Sequence, residues 1–509
     1  MRRYPALASL LLGAAAACGF APWQLWPLTL VCLAAWIWLV HDAGTLRQAL
    51  WRGWAFGVGH FTINDNWFQH AFDFQDKMPP VLGYIAPLAL ALYLAVYPAM
   101  AAGLAWRVAR GRAVDAPFLL AFAAAWIATE WLRAVMFTGY AWDPLGVVWV
   151  PVQPVAMLTK LIGTYALSGL TILTAGALLL IPRRRRALGL LAIVALLGAQ
   201  ALSYRTTAPS RSPGTPLLRV VQPNIGNDLR NEDAGERALA TLIRASRHPA
   251  GAPRLVLWPE GLLRDFLEDG YPDWIYRDRP SSWTRARIAA ALAPRDMLMT
   301  SGDTLTFDAN GDVTSAANSV LAIDPDKRIV GRYDKAHLVP YGEYLPMPGL
   351  LRMLGLAKLV PGDMDFTPGP GPRTLGIPGF GAIGVQVCYE IIFSGQVTEP
   401  GRRPRMIFNP SNDAWFGKWG SPQFLAQARM RAIEEGLPVV RATPTGVSAV
   451  IAADGAVIAT IPHDTAGAVE VPLPPAAAPT LFARVGNWMA LLVGLLLAGA
   501  AIALRRRDR

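Results

Sequence analysis

The chain has 509 residues, 53% of them hydrophobic and only 16% charged, with a formal net charge of +11. A soluble globular domain carries about 25% charged residues, so this composition excludes a chain bathed in water on all sides. The basic residues sit in runs beside apolar segments and no nucleic-acid-binding pattern accompanies them, which argues against nucleic acid as a partner.

A helix crossing about 30 Å of hydrocarbon needs roughly 20 apolar residues. Such segments occur at 5–21, 24–40, 52–69, 81–105, 116–137, 157–181, 187–203 and 483–504. The first is read as a retained anchor, because a second follows at once. The third is interrupted by Asn64, Asp65 and Asn66. In the fifth, Glu130 and Arg133 share one helix face. Ionisable residues in a span pair with each other or line a functional cavity, and both readings stay open here. Basic clusters at Arg2 and Arg3, Arg47 and Arg52, Arg107 to Arg112, Arg183–Arg186 and Arg505–Arg507 fall on one side if the chain starts in the cytoplasm. The expected organisation is seven spans in 1–204, an outward, periplasmic domain at 215–473, an eighth span at 483–504 and a basic cytoplasmic tail at 505–509. Both termini are then cytoplasmic.

The outward segment is left through Pro472-Leu-Pro-Pro475. Inside it, buried strands are predicted at 218–222, 255–258, 297–301, 319–323, 383–388, 406–409, 439–442 and 447–452, and helices at 232–246, 282–293 and 421–436. This alternation indicates a layered α/β domain with its own core.

Three segments place a polar residue at or beyond a strand end, where open α/β folds present reactive groups. They are Leu255-Val-Leu-Trp-Pro-Glu260, the stretch Tyr333-Asp-Lys335 continuing to Glu343, and Gly384-Val-Gln-Val-Cys388 with Tyr389 and Glu390. Taken singly, Glu260 and Lys335 also fit solvated surface positions, and Cys388 an inert buried thiol. His337 fits a satisfied core histidine better than a partner for the thiol. The other two of the three cysteines, Cys18 and Cys32, fall in apolar stretches, so the polar half has no internal disulfide. Cys and His nowhere recur at metal-ligand spacing, and no Gly-x-Ser-x-Gly elbow occurs. No cofactor is expected.

In the order Glu260, Lys335, Cys388, these segments resemble the nitrilase superfamily. The resemblance implies a four-layer αββα sandwich and a Glu-Lys-Cys triad. With multiple apolar spans around such a domain, the chain is similar to the apolipoprotein N-acyltransferase family. The likeness rests on His337-Leu-Val-Pro-Tyr-Gly-Glu-Tyr344, Cys388-Tyr-Glu390, Asn409-Pro-Ser-Asn-Asp-Ala-Trp-Phe416 and Arg429-Met-Arg431. Tyr341 and Pro444-Thr445 depart from the family pattern.

The fold class implied is a multi-pass helical membrane domain of about eight spans plus a nitrilase-like α/β domain. The chemistry assigns Cys388 as nucleophile, Glu260 as general base, and Lys335 with the Tyr389 N–H as oxyanion partners. Glu343, Tyr389 and Glu390 match supporting positions of the family. The resemblance implies a phospholipid acyl donor such as phosphatidylethanolamine and a diacylated apolipoprotein acceptor, in the inner membrane. A monomer is expected. The competing readings are a membrane-tethered amidase using water as acceptor, and a transporter or scaffold with a degenerate soluble domain.

Overall fold

The computed structural model describes residues 1, 3–74, 79, 81–109, 114–180, 216–226, 232–247, 251–276, 279–353 and 365–507. The membrane half is helical. Helices α1 (Pro5–Ala17), α2 (Trp26–His41) and α3 (Leu46–Asn64) come first, and α4 (Leu82–Leu94) runs into α5 (Val96–Ala109). Helices α6 (Ala116–Val135) and α7 (Thr159–Leu178) complete this half. Side-chain oxygens start two of them: Thr45 accepts from the Gln48 N–H before α3, and Asp115 from the Phe118 N–H before α6.

Among the described residues, four helices are long and apolar enough to cross a membrane: Leu82–Val108, Ala116–Val135, Thr159–Leu178 and Trp488–Arg507. Helices α1 and α2 are apolar but span 13 and 16 residues. Helix α3 carries Arg47, Gln48, Arg52, His60 and Asn64, which lowers its hydropathy. The count is therefore four long spans with two shorter apolar helices rather than eight, and the segment expected at 187–203 lies outside the described residues. Helices α1 and α3 touch backbone to backbone. A Cβ on Gly13 would lie 2.0 Å from Phe56 O, and one on Gly59 2.0 Å from Leu10 O. Only glycine permits this approach, the usual way that membrane helices gain packing without a hydrophobic drive.

The other half holds two six-stranded sheets. The first comprises β1 (Leu217–Gln222), β2 (Arg254–Leu257), β3 (Met297–Phe307), β4 (Val313–Ile323) and β5 (Ile329–Asp334). The second comprises β6 (Arg373–Ile377), β7 (Gly381–Val385), β8 (Met406–Pro410), β9 (Val439–Ala442), β10 (Ser448–Ile451) and β11 (Val457–Ile461). Strand β12 (Gly467–Pro472) returns to the first sheet, giving the orders β12-β1-β2-β3-β4-β5 and β11-β10-β9-β8-β7-β6. At the centre of each sheet three strands run parallel, in registers such as Leu255 with Met297 and Phe408 with Val440.

The sheets face each other through Leu218, Leu255, Leu257, Met299, Ile383, Val385 and Phe408. Helices α8 (Glu232–Ser246) and α9 (Ser281–Ala289) cover the first sheet's outer face through Leu239, Leu242 and Ile288 against Val256 and Leu298. Helix α10 (Gly417–Glu435) covers the second sheet with Phe424, Ala428 and Ala432. The result is the four-layer αββα sandwich. Helix α11 (Trp488–Arg507) then returns to pack on α6 and α7.

One buried carboxylate joins the two halves. Gly163, at φ +76°, breaks the ladder of α7 and frees the next N–H. Glu434 of α10 accepts that Thr164 N–H at 2.7 Å, the Thr164 hydroxyl at 2.5 Å and the Ser394 hydroxyl at 2.8 Å. It also pairs with Arg431 at 2.8 Å, both side chains being almost fully buried. Removing one member of a buried ion pair strands the other charge and costs about 3–5 kcal/mol. Glu434→Ala should therefore lower the thermal unfolding midpoint in detergent markedly, whereas Lys418→Ala, an exposed pair with Asp464, should leave it unchanged.

Candidate active site

The three strand-end residues come together at one end of the sandwich. Beyond β2, Pro259 cannot extend the ladder and Glu260 leaves the sheet. Gly261, at φ +80°, makes the turn that follows, and its N–H donates to Ser301 Oγ at 3.1 Å. Lys335 directly follows β5, with its N–H on Asn318 O of β4 at 2.9 Å. Cys388 opens a single 3-10 turn, Cys388–Ile392, just past β7.

Lys335 Nζ lies 2.9 Å from Glu343 Oε1 and 3.6 Å from Glu260 Oε1. Asn318 Nδ2 bridges the two carboxylates, donating at 2.7 Å to Glu260 Oε1 and at 3.0 Å to Glu343 Oε1. The second oxygens are held by backbone: Asn412 N–H on Glu260 at 2.9 Å, Val339 N–H on Glu343 at 2.8 Å. All are buried, Lys335 most completely at 1% exposure.

Cys388 has φ +49°, a left-handed conformation that costs a non-glycine residue about 1–3 kcal/mol and persists only where surroundings enforce it. Asn409 supplies that enforcement. Its Nδ2 donates to the carbonyls of Gln386 (2.6 Å) and Cys388 (3.2 Å). Arg441 in turn donates to Asn409 Oδ1 at 2.7 Å while paired with fully buried Asp413. The turn leaves the Tyr389 N–H without a protein acceptor among the described residues.

Glu390 stands behind the Cys388 turn. Four donors converge on it: the Val387 N–H at 2.6 Å, the Ala336 N–H at 2.7 Å, the His337 N–H at 2.9 Å and the Tyr333 hydroxyl at 2.8 Å. It thus clips the Lys335 segment to the Cys388 turn. His337 does not pair with the thiol. Its ring stacks on Phe393 at 3.9 Å and its Nε2 lies 3.0 Å from Thr138 O. Tyr389 donates its hydroxyl to Gly139 O at 3.0 Å. Both contacts reach the loop that follows α6.

Glu260, Lys335, Glu343, Cys388 and Tyr389 line one cavity of about 1080 Å³, whereas Glu390 stays behind its wall. The opposite wall comes from the membrane half, through Trp67, Phe74, Leu90, Tyr93, Met136 and Phe137. Trp415 and Phe416 line it too, with Trp415 edge-on to Phe74 at 5.3 Å. Trp419 instead packs against Trp23 at 4.7 Å.

Residues 12–177 match the apolipoprotein N-acyltransferase N-terminal domain, and residues 217–478 match carbon-nitrogen hydrolase. The chain is 34% identical to an apolipoprotein N-acyltransferase of Caulobacter vibrioides, over 98% of this chain and 94% of that one. It is 32% identical to the protein of that name from Rhodopseudomonas palustris, over 99% and 95%. With the one from Ralstonia nicotianae it shares 34% identity over 99% and 94%. The chain belongs to the apolipoprotein N-acyltransferase family.

In this family member the electrostatics of the cavity suit a proton taken from sulfur. Burial, and then the charge of Glu260, push the Cys388 thiol well above its ordinary value, with Lys335 and Ser411 pulling it back. At rest the sulfur keeps its proton. Burial raises Glu260 as well, opposed by Lys335 and reinforced by Glu343. A carboxylate raised this way is a better proton acceptor at neutral pH. Burial alone would lower Lys335, but Glu343 and Glu260 more than offset it and hold the ammonium charged. A permanently charged Lys335 suits an oxyanion partner, not a base. Burial takes Glu390 up to about 7 against its donors from His337 and Val387.

Among the described residues no group of three or more His, Cys, Asp or Glu could hold a metal ion. Sequence reasoning passed over Asn318, an asparagine inside a strand with no motif around it, and the backbone role of Asn412. It also passed over Asp303 and Arg264 in the cavity wall. Asp303 is open to the cavity but flanked by protein. That partial desolvation, then Glu343 and Glu260, push it up to about 6. Glu130 and Arg133 do not pair with each other. Glu130 accepts the Leu145 N–H at 2.8 Å and Arg133 donates to Trp142 O at 2.8 Å, so both hold the loop after α6.

An amide at position 390 cannot accept four donors without turning its own N–H groups toward one of them, at a cost of about 1–3 kcal/mol. Glu390→Gln should lower thermal stability by that amount and speed hydrogen exchange at the Ala336 and His337 amides, leaving exchange in β1 and β2 unchanged.

Proposed function

We propose that this enzyme transfers a fatty acyl chain from a phospholipid, phosphatidylethanolamine, to the N-terminal α-amino group of S-diacylglyceryl-cysteine apolipoproteins, the last step of lipoprotein maturation. The observation that carries this reading is the single cavity whose polar wall holds Glu260, Lys335 and Cys388 and whose apolar wall belongs to the membrane helices. A soluble amide needs no such wall. An acyl chain does, because burying it stabilises binding by about 0.8 kcal/mol per CH₂.

In the first half-reaction Glu260 takes the Cys388 proton as sulfur attacks the ester carbonyl. Lys335 and the Tyr389 N–H receive the developing oxyanion. Collapse expels the lysophospholipid alkoxide, which recovers its proton from Glu260, and a thioester remains. In the second, the acceptor's amine attacks that thioester, Glu260 takes the amine proton, and the Cys388 sulfur leaves and is reprotonated. An α-amino group, with a pKa of about 7.7–8.0, is partly neutral near pH 7, whereas a lysine near 10.4 is not. This favours the chain terminus as acceptor. Asn409 and Glu390 act as positioning residues for the thiol and the oxyanion site, and Glu343 holds Lys335 charged.

The setting proposed is the inner membrane. The domain at 215–473 faces the periplasm, flanked by spans in 1–204 and at 483–504, with the 505–509 tail and the N-terminus cytoplasmic. The positions of the basic clusters support this orientation. The enzyme acts as a monomer.

Purified enzyme incubated with labelled phospholipid should show an acyl adduct on Cys388 by mass spectrometry. Added diacylated lipopeptide should discharge it as an amide. Release only as free fatty acid would make the enzyme a hydrolase and sink the transferase reading. Glu260→Gln should slow adduct formation by about 10²–10⁴-fold, the usual contribution of a general base. Glu343→Gln removes a like charge beside Glu260, so the acid limb of its kcat/KM profile should move to lower pH.

A further inference from the structure

Two charged side chains in the cavity wall take no part in the machinery described above. Arg264 lies four residues beyond Glu260, and Asp303 lies in β3. Both line the cavity and both are exposed to it. Among the described residues, neither charged group has an ion pair or a hydrogen-bond partner. The acidic residues that follow Arg264 in the chain are engaged. Asp265 accepts from Thr284 at 2.6 Å, Glu268 pairs with Arg332 at 2.9 Å, and Asp269 pairs with Arg285 at 2.6 Å. Two opposite charges left open on one cavity wall, amid paired ones, have the character of a recognition site rather than a solvated surface.

The surroundings differ at the two ends. Asp303 stands near Glu260 and Glu343, whose charges act on it, with buried Lys335 the cation between those two carboxylates. A cationic group is attracted there and an anionic one repelled. Arg264 rests its methylene stem on Gly235, where an added Cβ would lie 3.1 Å from Arg264 Cδ. Its guanidinium fork is thereby free to meet a planar or tetrahedral oxyanion.

We infer that Arg264 and Asp303 form a head-group subsite, which holds the phosphate and the ammonium of a zwitterionic phosphoethanolamine while the donor's ester lies at Cys388. The subsite rests on the phospholipid-donor reading above and adds the two residues that recognise the donor's head group. It selects partly by repulsion, since a second negative charge on the head group would face Asp303 unpaired. Loss of one charge-assisted hydrogen bond at such an open site corresponds to about a tenfold change in binding, the low end for such bonds.

The test compares full-length wild type, Asp303→Asn and Arg264→Gln in detergent micelles. Each receives phosphatidylethanolamine or phosphatidylglycerol, and the Cys388 thioester is followed by mass spectrometry. Aminolysis of the preformed thioester by a diacylated lipopeptide is timed separately. Asp303→Asn should raise KM about tenfold for the ethanolamine donor and move that for the glycerol donor far less, erasing the preference. Arg264→Gln should raise KM for both donors alike, because both carry the phosphate. An unchanged head-group ranking in Asp303→Asn would overturn the subsite. So would a defect confined to aminolysis, which would assign the ammonium to the acceptor's α-amino group. If wild type forms no thioester with either lipid, the donor reading itself fails. If it does and Asp303→Asn keeps the wild-type ranking, only the subsite fails. Unchanged thermal unfolding of both variants confirms that they fold.

Discussion

Everything in the active centre depends on one buried ammonium between two carboxylates. Lys335 could not stay charged at 1% exposure without Glu260 and Glu343, and the ammonium in turn offsets the cost of burying the two carboxylates that share Asn318. Each charge is affordable only because the others are present. The requirement reaches far into the fold, because the three groups come from the ends of β2 and β5 and from the loop beyond Lys335. Sulfur arrives from the other sheet, past β7. The αββα sandwich is thus the frame that brings four chain segments to one cavity at one end.

The membrane half is attached to this frame through polar contacts, not only apolar ones. Glu434 caps the broken turn of α7, Gln423 accepts the Trp142 indole N–H at 2.9 Å, and the Asp143 N–H reaches Gln427 at 3.2 Å. Buried backbone groups must find partners, and the irregular loops at 136–146 find theirs on α10, α6 and α7. These loops carry Met136, Phe137 and Tyr140 into the cavity wall. Polar anchoring of a loop thereby fixes an apolar surface in the cavity that Cys388 also lines.

Much of this was legible in the residues. Every predicted strand is present, because strands buried on both faces read as unbroken apolar runs. The strands that escaped, β5, β6, β11 and β12, are the four sheet edges. Their sequences, such as Ile329-Val-Gly-Arg-Tyr-Asp334, alternate weakly and include glycine and charge, as half-exposed strands do. The outer parts of β3 and β4 escaped for the same reason. At the site, Glu260, Lys335 and Cys388 stand out because a charged or reactive residue interrupts an apolar run. The oxyanion and carboxylate contacts made by backbone N–H groups leave no mark on a sequence. Glu130 and Arg133 were legible as functional oddities, but their partners are loop amides, which spacing along a helix cannot reveal.

The clip at Glu390 has a mechanical meaning. The two sheets of the sandwich meet mainly through non-directional apolar contact, which lets them slide by small amounts as temperature or sequence changes. Sulfur rides on one sheet and the ammonium on the other, so such slippage would alter the gap between them. Glu390 binds amides from both segments at once and pins them together beside the gap itself. Any small displacement of the layers is then resisted beside the Cys388 sulfur and the Lys335 ammonium, where the directional contacts lie.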